Sequence, residues 1–141
     1  MKYVCDAPAG ATWFRIETEA EAATESEIMR HAVEKFFRKE REKATQSFQP
    51  VSKVSFEQEI GLNAHIQREM PLFLTLRDGE GNPLATAMLP PGGCDDRSFR
   101  PIIVGMANAD PYVDHADAIR VLGQHFGLTL ERGRCYPYRR D

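Results

Sequence analysis

Cys94 is the residue whose neighbours most suggest chemistry, standing in the run Pro90-Pro91-Gly92-Gly93-Cys94-Asp95-Asp96. Glycines there would let a substrate approach, and exposed backbone donors would stabilise an oxyanion, so the run suits a thiol nucleophile. Such a nucleophile needs a base, for which His115 or His65 is the candidate. Asp95 and Asp96 argue the other way, because adjacent carboxylates raise a thiol pKa instead of lowering it. A plain loop cysteine is the preferred reading.

Cys5, Cys94 and Cys135 with one histidine would add up to a tetrahedral zinc set, but no two of these cysteines form the close pair from which one turn delivers two ligands. Neither a metal nor a cofactor is expected, and Cys5 beside Val4 reads as a core position. Asp114, His115 and Asp117 cluster at the start of a helical pattern, where an aspartate orienting a histidine would make part of an acid–base site. Carboxylates in a first helical turn are also ordinary dipole and capping partners, which is the favoured interpretation. His31 and His125 lie beside apolar stripes and read as partly covered core-edge residues.

The end of the chain, Arg132, Gly133, Arg134, Cys135, Tyr136, Pro137, Tyr138, Arg139 and Arg140, mixes guanidinium groups with aromatic rings. These types pair with phosphates and stack on unpaired bases, and they also dominate protein–protein hot spots. With Arg97 and Arg100 of the preceding loop, Arg132, Arg134, Tyr136, Tyr138, Arg139 and Arg140 form the candidate binding set. Phosphate-loop, dinucleotide, zinc-protease and serine-hydrolase signatures are missing from the sequence.

Composition narrows the classes further. With 141 residues, 42% of them apolar and 28% charged, the chain fits one domain with one continuous core and lies far from the balance that keeps chains disordered. A net charge of −3 offers no global attraction to nucleic acid or anionic membranes, so nucleic-acid binding would need a local patch. The first thirteen residues contain one lysine and no signal-peptide core, and no stretch approaches a membrane span. Three widely spaced cysteines read as reduced thiols, so the expected location is the cytoplasm.

The elements that must position these residues follow from periodicity. Lys2 to Cys5 and Thr12 to Glu17 predict a hairpin around Asp6, Pro8 and Gly10. Residues 18–48 predict one long helix, with Ile28, Met29, Ala32, Val33, Phe36 and Phe37 on its buried stripe. Thr18 with Glu21 and Thr24 with Glu27 compete as its capping box. Glu19, Glu21, Glu25 and Glu27 near its start, with Lys35, Arg38, Lys39, Arg41 and Lys43 near its end, complement the dipole. Residues 51–71 are ambiguous between a short strand at Val51, Val54 and Phe56 and a helix opened by Ser55 and carrying Ile60, Ala64 and Ile66, against which Gly61 counts.

Leu72 to Arg77 and Leu84 to Leu89 predict a second hairpin, with Leu72, Leu74 and Leu76 resting on the long helix. Residues 90–101 read as an exposed loop, and residues 102–107 as a central strand. Asp110 then caps a helix with Pro111 in its first turn and Ala118, Ile119, Leu122 and Phe126 on its buried stripe; a short strand starts at Leu128 to Leu130. The expected fold is a single α+β domain over residues 1–141: a mostly antiparallel sheet of two hairpins plus a C-terminal strand–helix–strand unit, packed on one face by a long N-terminal helix and a second helix. A closing parallel pair is one option for that last unit.

The expected function is that of a small, non-catalytic binding or regulatory protein acting on a protein partner, with no membrane association. The alternatives are a thiol-dependent enzyme using Cys94 and a nucleic-acid binder acting through the Arg/Tyr-rich end.

Overall fold

A computed structural model describes residues 1–135. Five strands, β1 (Lys2–Asp6), β2 (Thr12–Arg15), β3 (Leu72–Arg77), β4 (Pro83–Leu89) and β5 (Ile102–Val104), pair antiparallel in sequence order. Three helices, α1 (Glu19–Met29), α2 (Val33–Gln46) and α3 (Ser55–Glu69), are inserted between neighbouring strands β2 and β3, and α4 (Tyr112–Phe126) follows β5. The fold is therefore α+β with an antiparallel sheet, as the two hairpin patterns predict. The turn between β3 and β4 is set by Asp78, whose carboxylate accepts from the backbone N–H groups of Glu80 and Asn82.

The sheet is covered on both faces, which corrects the expectation of helices on one. Residues Leu72 to Leu76 are buried without interruption, so each side of β3 needs a partner. Leu72, Leu74 and Leu76 belong to a core with Trp13, Ile103 and the Ile119 and Leu122 side chains of α4, not to the N-terminal helices. Trp13 ties the two layers together by donating its indole N–H to the carbonyl of Ala118 at 2.9 Å. Phe73 points the opposite way, into a second core with Ile16, Ala22, Val33 and Phe37, and its ring sits 5.1 Å from that of Phe37.

The single long helix is also corrected: the chain breaks after Met29. Thr18 and Glu21 form the capping box that starts α1, while the Thr24 hydroxyl instead donates to the carbonyl of Ala20. Arg30 adopts a left-handed conformation with φ of 56° and ends α1, and the first turn of α2 is tied back to it by the Glu34 N–H, which donates to Ser26 Oγ at 2.8 Å. The buried positions Ala22, Glu25, Met29, Val33 and Phe37 keep three- and four-residue spacing across this elbow. Periodicity alone consequently reads through it. Met29, Val33 and Phe37 are buried as expected, whereas Ile28, Ala32 and Phe36 are exposed.

Residues 55–69 are helical, and Val51 and Val54 lie outside any strand. Gly61 is accommodated because a Cβ there would sit 3.3 Å from the ring of Phe48, which packs across this part of α3. After α4, residues 128–130 do not join the sheet, correcting the closing strand; no parallel pair occurs among the described residues. Leu130 is buried against Gly123, where a Cβ would meet the Leu128 carbonyl oxygen at 2.7 Å. The segment is folded back onto α4, with the Leu128 N–H bonded to the Gly123 carbonyl at 2.8 Å. Among the described residues, no helix is long and apolar enough to cross a membrane.

Candidate functional site

The elbow between α1 and α2 overlies the strand face formed by Phe73 and Thr75 of β3, Thr86 and Met88 of β4, and Ile102 and Val104 of β5, a set placed on one side by the register Phe73↔Met88, Thr75↔Thr86, Thr86↔Val104 and Met88↔Ile102. Arg77, past a register shift in β3, reaches Glu25 of α1. Between elbow and sheet lies a cavity of about 310 Å³. Val33, Phe36, Phe73, Met88, Ile102 and Val104 give it mostly apolar walls, Ala32 and Asn108 line it further, and His31 and Thr86 supply polar groups.

That polar end is held by a chain of hydrogen bonds reaching into the protein. Glu25, fully buried on α1, accepts from Arg77 Nη2 at 2.7 Å through one carboxylate oxygen and from the Thr86 hydroxyl at 2.6 Å through the other. His31 Nε2 lies 2.8 Å from the same Thr86 oxygen. A threonine hydroxyl has one proton, and here it goes to Glu25, so His31 must donate through Nε2. The imidazole then carries its lone pair at Nδ1, which receives the Val33 N–H at 3.4 Å. Burial pushes the His31 pKa below its ordinary value, with the Glu25 charge opposing that shift.

A buried carboxylate with a single cationic partner is costly to maintain, and it is stable only because both of its oxygens are hydrogen-bonded. Arg77 is itself positioned by donating from Nη1 to the Gly81 carbonyl at 3.1 Å. Backbone strain gathers at the same place. Of the four non-glycine residues with positive φ among the described residues, Arg30 precedes His31, Asn108 lines the cavity and Ala107 adjoins it. Such conformations persist where surrounding structure over-determines them, as at ligand sites.

The residues singled out from sequence are placed elsewhere. Cys94 is exposed after a 3-10 turn (Pro91–Gly93), and among the described residues no hydrogen bond joins it to His65 or His115. His65, on α3, bonds to the Ser47 hydroxyl at 2.8 Å and packs on Phe48. His115 sits in the first turn of α4, half-buried, with its backbone N–H bonded to the Pro111 carbonyl. His125 meets the edge of Phe126, an aromatic ring that presses on Gly93.

Arg132 is engaged within the chain, paired with Asp110 and stacked 5.3 Å over the ring of Tyr112, while Arg134 lies 3.9 Å from Asp95. Arg97 and Arg100 are exposed. Tyr136, Tyr138, Arg139 and Arg140 lie outside the described residues. Cys5 is half-buried and Cys135 buried, and among the described residues no group of three histidine, cysteine or carboxylate side chains is arranged to hold a metal.

The sequence pattern places Glu25 among the carboxylates that complement the helix dipole and His31 at the core edge, and no motif marks Thr86 or Arg77. One signal was available: Glu25 falls three residues after Ala22 and four before Met29, on the buried stripe, where a carboxylate demands partners. Comparison with known proteins found no matching family model, and no curated protein or solved structure matched the chain at a significant level.

Proposed function

We propose that this chain is a non-catalytic binding protein whose cavity under the α1–α2 elbow receives a small, largely apolar molecule. The observation that carries this reading is the combination of apolar walls with one polar end, His31 and Thr86, held in place by the buried Glu25–Arg77 pair. Small-ligand sites have this composition, with few polar groups fixing orientation and an apolar lining supplying affinity, and about 310 Å³ is at the small end of their range. The absence of a hydrogen bond between Cys94 and either candidate base among the described residues favours binding over thiol catalysis. Three unpaired cysteines fit a reducing compartment, for which we propose the cytoplasm.

The test is saturation-transfer NMR with neutral single-ring aromatics, comparing the native chain with Ala32→Trp. Ala32 is exposed and lines the cavity, so the larger ring fills the space from outside the core. Signals present in the native protein and lost in the variant support the reading. Equal signals in both, or none in either, remove it.

A second reading, docking of a protein partner, draws on α3. None of its residues is buried, and Phe56 and Ile60 are 70% and 54% exposed, next to Val54. Together with the Arg97 and Arg100 loop this surface is the alternative site for a macromolecule. Replacing Phe56 and Ile60 by serine should then abolish capture of the partner without lowering stability. Contact with nucleic acid through Arg132, Arg134, Arg139 and Arg140 remains a third proposal; it requires binding to single strands that weakens steeply with salt.

A further inference from the structure

We infer that the cavity selects a neutral ligand carrying one hydrogen-bond donor, of the phenol or alcohol class, over a carboxylate of the same shape. The inference rests on the proposed small-ligand function and names the chemistry of its ligand.

Its basis is the direction of the protons at the polar end. Arg77 donates to Glu25, Thr86 donates to Glu25, and His31 donates to Thr86, so every hydrogen in the chain points inward to one buried carboxylate. What this leaves for a ligand is acceptor capacity at the unused lone pair of the Thr86 oxygen, since the Nδ1 lone pair of His31 already receives the Val33 N–H at 3.4 Å.

To meet a carboxylate, the polar end formed by His31 and Thr86 would need the opposite arrangement, a protonated His31 donating from Nδ1. Two features oppose that state. The Val33 N–H is already directed at Nδ1, so a proton there would set two donors against each other. Thr86 is also buried and His31 half-buried, with the Glu25 charge two hydrogen bonds from the ligand, which repels a second anion in a medium that screens it poorly. A hydroxyl donor meets neither obstacle, and its apolar body lies against Phe36, Phe73 and Met88.

Calorimetric titration of the native chain with 4-propylphenol, 4-propylanisole, 4-propylbenzoate and propylbenzene separates the alternatives. The phenol should bind at least tenfold tighter than its methyl ether and tighter again than the benzoate. In Thr86→Val the phenol-to-anisole ratio should fall toward one while propylbenzene binding persists. If the benzoate binds tightest, or phenol and anisole bind alike while propylbenzene binds, the donor preference is overturned and the small-ligand function stands. If none of the four binds, the function itself fails with it. The comparison of ligands on the native chain decides the matter even where a variant does not fold.

Discussion

Thr75 and Thr86 stand opposite each other across the β3–β4 ladder, both buried on the same face, yet only the Thr86 hydroxyl has hydrogen-bond partners. The same substitution at the two positions should act in opposite directions. Thr86→Val leaves Glu25 one donor short and strands the Nε2 proton of His31, and should cost about 1–3 kcal/mol, the penalty for orphaning buried polar groups. Thr75→Val replaces an unsatisfied hydroxyl by a methyl of the same volume and should be neutral or gain up to about 1 kcal/mol. Urea unfolding of both variants checks the pair; losses of similar size at both positions would contradict the assignment.

Arg77 and Glu25 form the only strongly buried ion pair among the described residues, with side-chain exposures of 13% and 0%. Arg77→Met should cost roughly 3–5 kcal/mol, because it leaves a buried carboxylate without its counter-charge. Changing both to methionine should recover most of that loss, since an apolar pair of similar volume avoids the desolvation cost altogether. A double variant as unstable as Arg77→Met alone would mean that the loss comes from packing rather than from unpaired charge.

His31 makes a definite demand on pH. Its folded pKa lies below the unfolded value of about 6.5 because burial disfavours the imidazolium. Below that value the unfolded chain takes up a proton that the folded chain resists, so this contribution to stability is full above it and is lost as pH falls toward the folded pKa. Thermal unfolding of the native chain should therefore drop more steeply between pH 7 and pH 5 than that of His31→Gln, whose amide keeps a donor for Thr86. Carboxylates held low by hydrogen bonds, such as Glu21 and Asp78, are common to both proteins and titrate at lower pH. Parallel slopes would remove His31 from the account.

The three thiols should separate by access. Cys94 is exposed, Cys5 half-buried and Cys135 buried with its pKa raised by desolvation. A chromogenic disulfide reagent should consume one thiol quickly in the native protein, a second slowly, and the third only on unfolding. Three thiols reacting at one rate in the folded protein would contradict this order.

Much of the architecture is legible in the residues because local signals and tertiary needs agree there. Asp78 and Gly81 suit the turn they form, the Thr18 and Glu21 capping box starts α1, and Asp110, one residue before the Pro111 cap of α4, accepts from the Tyr112 N–H. The elbow at Arg30 was not legible, because the spacing from Met29 to Val33 to Phe37 continues a helical stripe while the backbone between them turns. The covering of both sheet faces was hidden for a different reason: Leu72, Leu74 and Leu76 announce one apolar face, but Phe73 and Thr75 reveal theirs only through α1 and α2, which are distant in sequence. The candidate site fared worst. Its four polar members, Glu25, His31, Arg77 and Thr86, come from three elements and the elbow, and no spacing rule links them.

Methyl-selective NMR during titration with propylbenzene reports whether a small apolar molecule enters the space between the elbow and the sheet. The methyl signals of Val33, Met88, Ile102 and Val104 should shift together and saturate, while those of Val54 and Ile60 on the α3 side stay fixed. Shifts confined to Val54 and Ile60, with the four cavity methyls unmoved at the highest ligand concentration, would contradict binding in that space.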